Sequence, residues 1–125
     1  MVSHFIIHVL GTAQDGGYPH AGCQSICCLD IWDKPALHRL PASIALIDKI
    51  NKKFYLFDIT PNVKEQLHFL DQYNCKLDGI FITHAHIGHY IGLLDLGLEI
   101  MNTDNIPVYV MPRMKQFILN NEPMA

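Results

Sequence analysis

The apolar run Gly79-Ile80-Phe81-Ile82 leads directly into Thr83-His84-Ala85-His86-Ile87-Gly88-His89-Tyr90. This junction restricts the fold more than any other stretch. A short apolar run that stops at a polar, histidine-rich segment reads as a buried strand ending in a loop. Residues two apart in extended chain project to the same side, so His84 and His86 can converge on one point. His89 arrives three residues later, where the chain is expected to turn into a helix. Neutral imidazole is a good donor to zinc-type ions, so these three histidines are candidate metal ligands.

The elements around this junction follow from pattern. Phe5 to Leu10 reads as a buried strand, and Gly11 to Pro19 as a loop by its glycine and proline content. That loop is not a nucleotide loop. Gly11, Gly16 and Gly17 miss the Gly-x-Gly-x-x-Gly spacing, Pro19 breaks any helix, and the phosphate-loop lysine is absent. Ala42–Asp48 and Lys53–Asp58 read as two strands around a turn. Thr60 suits a helix N-cap and Pro61 the first helical position, with Val63, Leu67 and Leu70 on one face of a helix to about Tyr73. After the histidines, a helix is expected from about Tyr90 to Met101, apolar enough to be buried on most sides. A short strand over 106–110 and a helix over 113–120, with Met114, Phe117 and Ile118 inward, complete an α/β pattern.

His20, Cys23, Cys27 and Cys28 form a second cluster within nine residues. Three thiols and an imidazole can supply a structural zinc site of the Cys3His type. Buried free cysteines also serve as small apolar residues, so both readings stand.

Composition excludes some functions. The net charge is −3, with neither a basic block nor an acidic run. No nucleic-acid or membrane-surface partner is therefore expected. No stretch approaches the ~18 apolar residues of a membrane span, and Met1-Val2-Ser3-His4 lacks the basic start of a signal peptide. Cysteines in such a chain read as thiols or metal ligands before disulfides, which points to the cytoplasm. The chain is 50% apolar and only 17% charged, against about 25% in ordinary soluble domains. Its 125 residues are one domain or part of one. Such a greasy small chain is expected to associate, or to have faces that a further part of the fold covers.

On these residues the chain resembles metallo-β-lactamase-fold hydrolases, whose motif is His-x-His-x-Asp-His after a strand. Here that motif stands as His84-Ala85-His86-Ile87-Gly88-His89. Leu10-Gly11-Thr12-Ala13-Gln14-Asp15-Gly16-Gly17, with Pro19 and Gly22-Cys23, is similar to the branch of pyrroloquinoline-quinone biosynthesis B proteins and cyclic phosphodiesterases. The resemblance implies an αββα sandwich, with residues 1–125 as the N-terminal part of one such domain. It implies zinc, or another divalent transition metal, at His84, His86 and His89. Asp58, at the end of an earlier strand, takes the place of an acidic site residue. The phosphodiesterases carry Gly-Cys-x-Cys-x-x-Cys as a structural zinc site. Cys23 and Cys28 keep its outer separation, Ser25 replaces the middle cysteine, and Cys27 is an addition.

Two departures matter. Gly88 stands where the motif has a metal-binding aspartate, so another carboxylate, Asp15 among them, would have to substitute, or a single ion would suffice. No histidine follows His89, whereas the family's remaining ligands lie farther along its chain. The C-terminal half of the sandwich is therefore expected to be missing.

The implied activity is that of a metal-dependent hydrolase delivering metal-bound hydroxide to an ester or phosphodiester-type, anionic small molecule. Asp58 would orient an imidazole, and the N-terminus of the helix near Tyr90 would favour the anion. The alternative is a catalytically impaired metal-binding protein of the same fold, in cofactor biosynthesis or as a scaffold.

Overall fold

The computed structural model describes residues 3–122 and 124, leaving Met1, Val2, Pro123 and Ala125 outside. Five strands form one mixed sheet in the order β1-β2-β3-β4-β5. They are β1 (Phe5–Gly11), β2 (Ser43–Asp48), β3 (Lys53–Phe57), β4 (Lys76–Phe81) and β5 (Val108–Tyr109). The first three are antiparallel neighbours, while β4 pairs parallel with both β3 and β5. Three short α-helices accompany them: α1 (Ile26–Leu29), α2 (Val63–Leu70) and α3 (Pro112–Leu119).

The two faces of the sheet differ sharply. Alternation in the strands sends Leu10, Ala45, Ile47, Phe54, Leu56 and Ile80 to one side. There they join Val63 and Leu70 of α2 and Met114 of α3 in the core. The register places Ile7 opposite Leu46, Val9 opposite Ile44, Ile44 opposite Phe57, and Phe57 opposite Phe81 on the other side. Phe81 stacks between Phe57 and Tyr109, with ring centroids 4.9 and 4.5 Å away. That side lacks a covering layer among the described residues: Ile7 is 68% exposed, and Phe5 and Val9 are each 57% exposed. The uncovered apolar face expected from the composition is therefore present.

Two details depart from expectation. Helix α2 begins at Val63 with Asn62 at its N-cap, not at Pro61 behind Thr60. The Thr60 hydroxyl donates to Gln66 Oε1 at 2.7 Å and accepts the Asn62 N–H, which makes a turn of Thr60–Pro61. Gln66 is itself buried and donates to the Pro41 carbonyl, tying α2 to the entry of β2. In the third helix, Phe117 is exposed and meets the edge of the Tyr90 ring at 5.4 Å.

The larger correction concerns the segment after the histidines. A long buried helix over 90–101 does not form. A 3-10 turn (Ile87–His89) and a six-residue 3-10 helix (Ile91–Leu96) stand there, followed by turns. Gly92 gives its N–H to the Ile59 carbonyl at 3.1 Å instead of to the carbonyl four residues back. A Cβ at position 92 would collide with the Thr60 carbonyl, so only glycine lets this segment lie against the β3–α2 turn. Gly92 and Gly97 also lower helix propensity by about 1 kcal/mol each. Leu98 and Ile100 are consequently exposed, at 75% and 64%.

Candidate metal centre

The histidine loop leaves the C-terminal edge of β4 beside the end of β3, where Asp58 sits. The Asp58 N–H donates to the Phe81 carbonyl, and its φ of 67° turns the chain sharply out of β3. A non-glycine residue in this region is uncommon, and aspartate is among those that tolerate it. The turn buries the carboxylate and directs it at the loop. Oδ1 accepts the Thr83 N–H at 2.7 Å, and Oδ2 accepts His89 Nδ1–H at 2.7 Å and the Thr83 hydroxyl at 2.8 Å.

This network fixes the tautomers of two imidazoles. A carboxylate only accepts, so the one Thr83 hydroxyl proton goes to Asp58. His84 Nδ1, 2.9 Å from the same hydroxyl oxygen, must then be the donor in that contact. In their neutral forms both His84 and His89 are thereby held with the proton on Nδ1 and the lone pair on Nε2. A carboxylate that orients a ligating imidazole through its other nitrogen is the usual second layer of a metal site. Both oxygens of Asp58 are engaged with Thr83 and His89, a geometry suited to orienting an imidazole. Thr83 went unrecognised in the sequence; its place between a strand end and two histidines was the available signal.

The three imidazoles cluster. The His84 ring centroid lies 4.6 Å from that of His86 and 4.0 Å from that of His89. His86 and His89 line a cavity of about 560 Å³ together with Thr12, Gln14, Asp15 and His20. Two neutral, oriented Nε2 lone pairs with a third imidazole beside them fit a zinc-type ion by donor chemistry. Asp15 enters from the β1 loop: Oδ2 accepts the Gly88 N–H at 2.9 Å, and Oδ1 is 3.6 Å from His89 Nε2. The Gly88 N–H holds the Asp15 carboxyl below its ordinary pKa, and His89 and His86 add to this when their rings are protonated. The helix N-terminus expected to attract anions at this edge is absent, and the N–H of Gly88 is committed to Asp15.

Cys23, Cys27 and Cys28 also come together, with Sγ atoms all within 4.8 Å of one another. They are the only three-donor group that tight among the described residues; the histidine nitrogens are not all so close. His20 corrects the Cys3His expectation. Its backbone N–H donates to Cys28 Sγ at 3.4 Å, while its ring packs on Gly16 and faces the histidine cavity. All four cysteines are free thiols. The Cys23 thiol is lowered by its contacts with Cys28 and with the Ser25 backbone. The His20 N–H pulls Cys28 down, but the Cys23 thiol and burial raise it on balance.

The architecture matches solved structures. Zn²⁺-bound PqqB from Methylobacterium extorquens superposes with a TM-score of 0.78 at 20% identity, over 94% of this chain and 41% of that one. A diphosphatase of the PhnP family superposes at 0.68 with 28% identity, over 90% and 44%. The chain belongs to the metallo-β-lactamase fold. No family model matches it. Among curated metallo-β-lactamase-fold relatives, coenzyme PQQ synthesis protein B of Klebsiella pneumoniae is 30% identical over 99 residues, 72% of this chain and 32% of that protein. Ribonuclease Z of Methanococcus maripaludis is 39% identical over 59 residues, 47% of this chain and 18% of that protein. The chain thus spans about a third or less of these curated relatives. The curated relatives include a ribonuclease and the solved structures a diphosphatase. Among the described residues, no helix is long and apolar enough to cross a membrane.

Proposed function

We propose that this chain carries the N-terminal part of the metal centre of a metallo-β-lactamase-fold hydrolase acting on an anionic ester or phosphodiester. The observation that carries the reading is the Asp58–Thr83 network, which leaves Nε2 of both His84 and His89 open beside His86. A bound zinc-type ion supplies Lewis acidity and a nucleophile at neutral pH. His84, His86 and His89 would hold it. Asp58 keeps two of those rings in the ligating tautomer, and the cavity mouth with Gln14 and His20 receives the substrate's charged group. The nuclease and the diphosphatase among the relatives support phosphorus–oxygen chemistry. The exposed sheet face supports a sandwich completed by a further layer, with residues 1–125 as one part of a single domain. Cys23, Cys27 and Cys28 would hold a separate structural ion, and their free thiols suit the reducing cytoplasm.

The test is zinc content per chain, with hydrolysis of a generic phosphodiester and a diphosphate, for the chain and for a His84→Ala/His86→Ala variant. Zinc lost from the variant, together with turnover by the parent, is the expected result. Zinc content indifferent to the double substitution sinks the reading. A second reading, a metal-binding protein in cofactor biosynthesis without hydrolysis, is favoured by the PQQ synthesis relative and by Gly88. Histidine-dependent zinc with no turnover would select it.

A further inference from the structure

Position 88 of the loop is closed to any side chain, and the group that closes it is Asp15. A Cβ on Gly88 would lie 2.5 Å from Asp15 Cγ and 2.7 Å from its Cα and Cβ. The carboxylate of Asp15 is thus where a side chain at 88 would begin, although 73 residues separate the two in sequence. One oxygen of Asp15 clasps the Gly88 N–H, which fixes the carboxylate's orientation. The other faces His89 Nε2 at 3.6 Å, too long for a hydrogen bond. Two donors each about 2.1 Å from one ion at a tetrahedral angle sit about 3.4 Å apart. The observed gap is close to that. In the neutral ring His89 Nε2 carries the lone pair, because the single ring proton is on Nδ1 and given to Asp58. A lone pair facing a carboxylate oxygen is repulsive unless a proton or a cation lies between them.

We propose that Asp15, reaching across from the β1 loop, is the carboxylate ligand of a cation held at His89, taking over the task that a side chain at position 88 cannot perform. This rests on the reading that the histidine cluster holds metal. Gly88 is then an adaptation to Asp15, because the loop can approach the carboxylate only without a Cβ. Restoring a side chain at 88 would displace the ligand instead of adding one.

Cobalt(II) titration of the chain tests this, since the thiolate-to-cobalt charge-transfer band reports the cysteine cluster separately from the histidine site. Asp15→Asn keeps an oxygen to accept the Gly88 N–H and removes the anionic ligand. It is expected to weaken cobalt binding at the histidine site at least about tenfold, with the thiolate band unchanged and only a small fall in the metal-free unfolding midpoint. Gly88→Ala is expected to weaken the same site by pushing Asp15 aside; should that variant not fold, Asp15→Asn decides alone. Binding by Asp15→Asn within about threefold of the parent, or a lowered metal-free midpoint with affinity retained, would reduce Asp15 to a structural clasp and overturn the proposal. A parent chain that takes cobalt only at the thiolates would overturn it together with the metal reading of the histidines.

Discussion

The thiol and imidazole clusters are assembled by opposite means. Cys23, Cys27 and Cys28 lie within six residues, and a single short helix, α1, is enough to bring their sulfurs inside 4.8 Å. Little outside the loop supports them beyond the His20 N–H to Cys28 and the Tyr18 hydroxyl donated to the Cys27 carbonyl. His84, His86 and His89 are also close in sequence, yet their donor atoms are spread wider. What they have instead is a buried carboxylate from another strand and a second carboxylate from a distant loop. Closeness in sequence makes a tight cluster cheaply. Orientation of individual donor atoms requires residues from elsewhere in the fold.

If that contrast holds, Asp58 should matter most. Asp58→Ala strands the Thr83 and His89 donors and should cost roughly 2–4 kcal/mol of stability, measured by urea unfolding. Asp58→Asn tolerates the same backbone geometry but loses the anionic acceptor. It should weaken metal at the histidine site about 10–100-fold, with the thiolate–cobalt band untouched. Thr83→Val should follow in the same direction but affect His84 more than His89, which nitrogen chemical shifts of the two rings would resolve. An effect confined to stability, with metal affinity intact, would break the comparison.

Cys23→Ser should do the reverse, abolishing the thiolate–cobalt band while leaving histidine-site affinity within about threefold. Loss of both sites together would mean that the thiol loop positions Asp15, since α1 and the Asp15 loop are joined through His20.

The smallest effects are in pH. The thiolate is the reactive form of cysteine. With Cys23 lowered and Cys28 raised, alkylation followed by mass spectrometry should label Cys23 at lower pH than Cys28. Asp15 works at the other end of the scale. Its carboxyl is lowered in the folded chain, so its stabilising contribution is complete above the ordinary value of 3.8 and is lost as pH falls through the folded value. The unfolding midpoints of the parent and Asp15→Asn should therefore converge in acid.

Local pattern made much of this legible. The apolar runs marked β1 to β4 within a residue or three, because period and burial are written into consecutive side chains. The uncovered sheet face was legible from composition, since a chain with 17% charge has too few polar groups to clothe both sides. The helix after His89 misled because leucine spacing at 91–101 satisfies a helical period, while the decisive contact, Gly92 on Thr60, lies 32 residues back. The pairing of His20 with the thiols misled for a similar reason: neighbours in sequence need not share an orientation.

The sequence alone determined which atoms are available, namely three imidazoles after a buried strand, three thiols in one loop, and two aspartates at strand ends or loops. Tertiary structure alone decided which nitrogen of His84 and of His89 is free, because that depends on the protons accepted by Asp58 and by Thr83. It alone put Asp15 in the space at Gly88. Donor identity belongs to single residues, whereas donor direction is set by hydrogen bonds that only the folded chain can close.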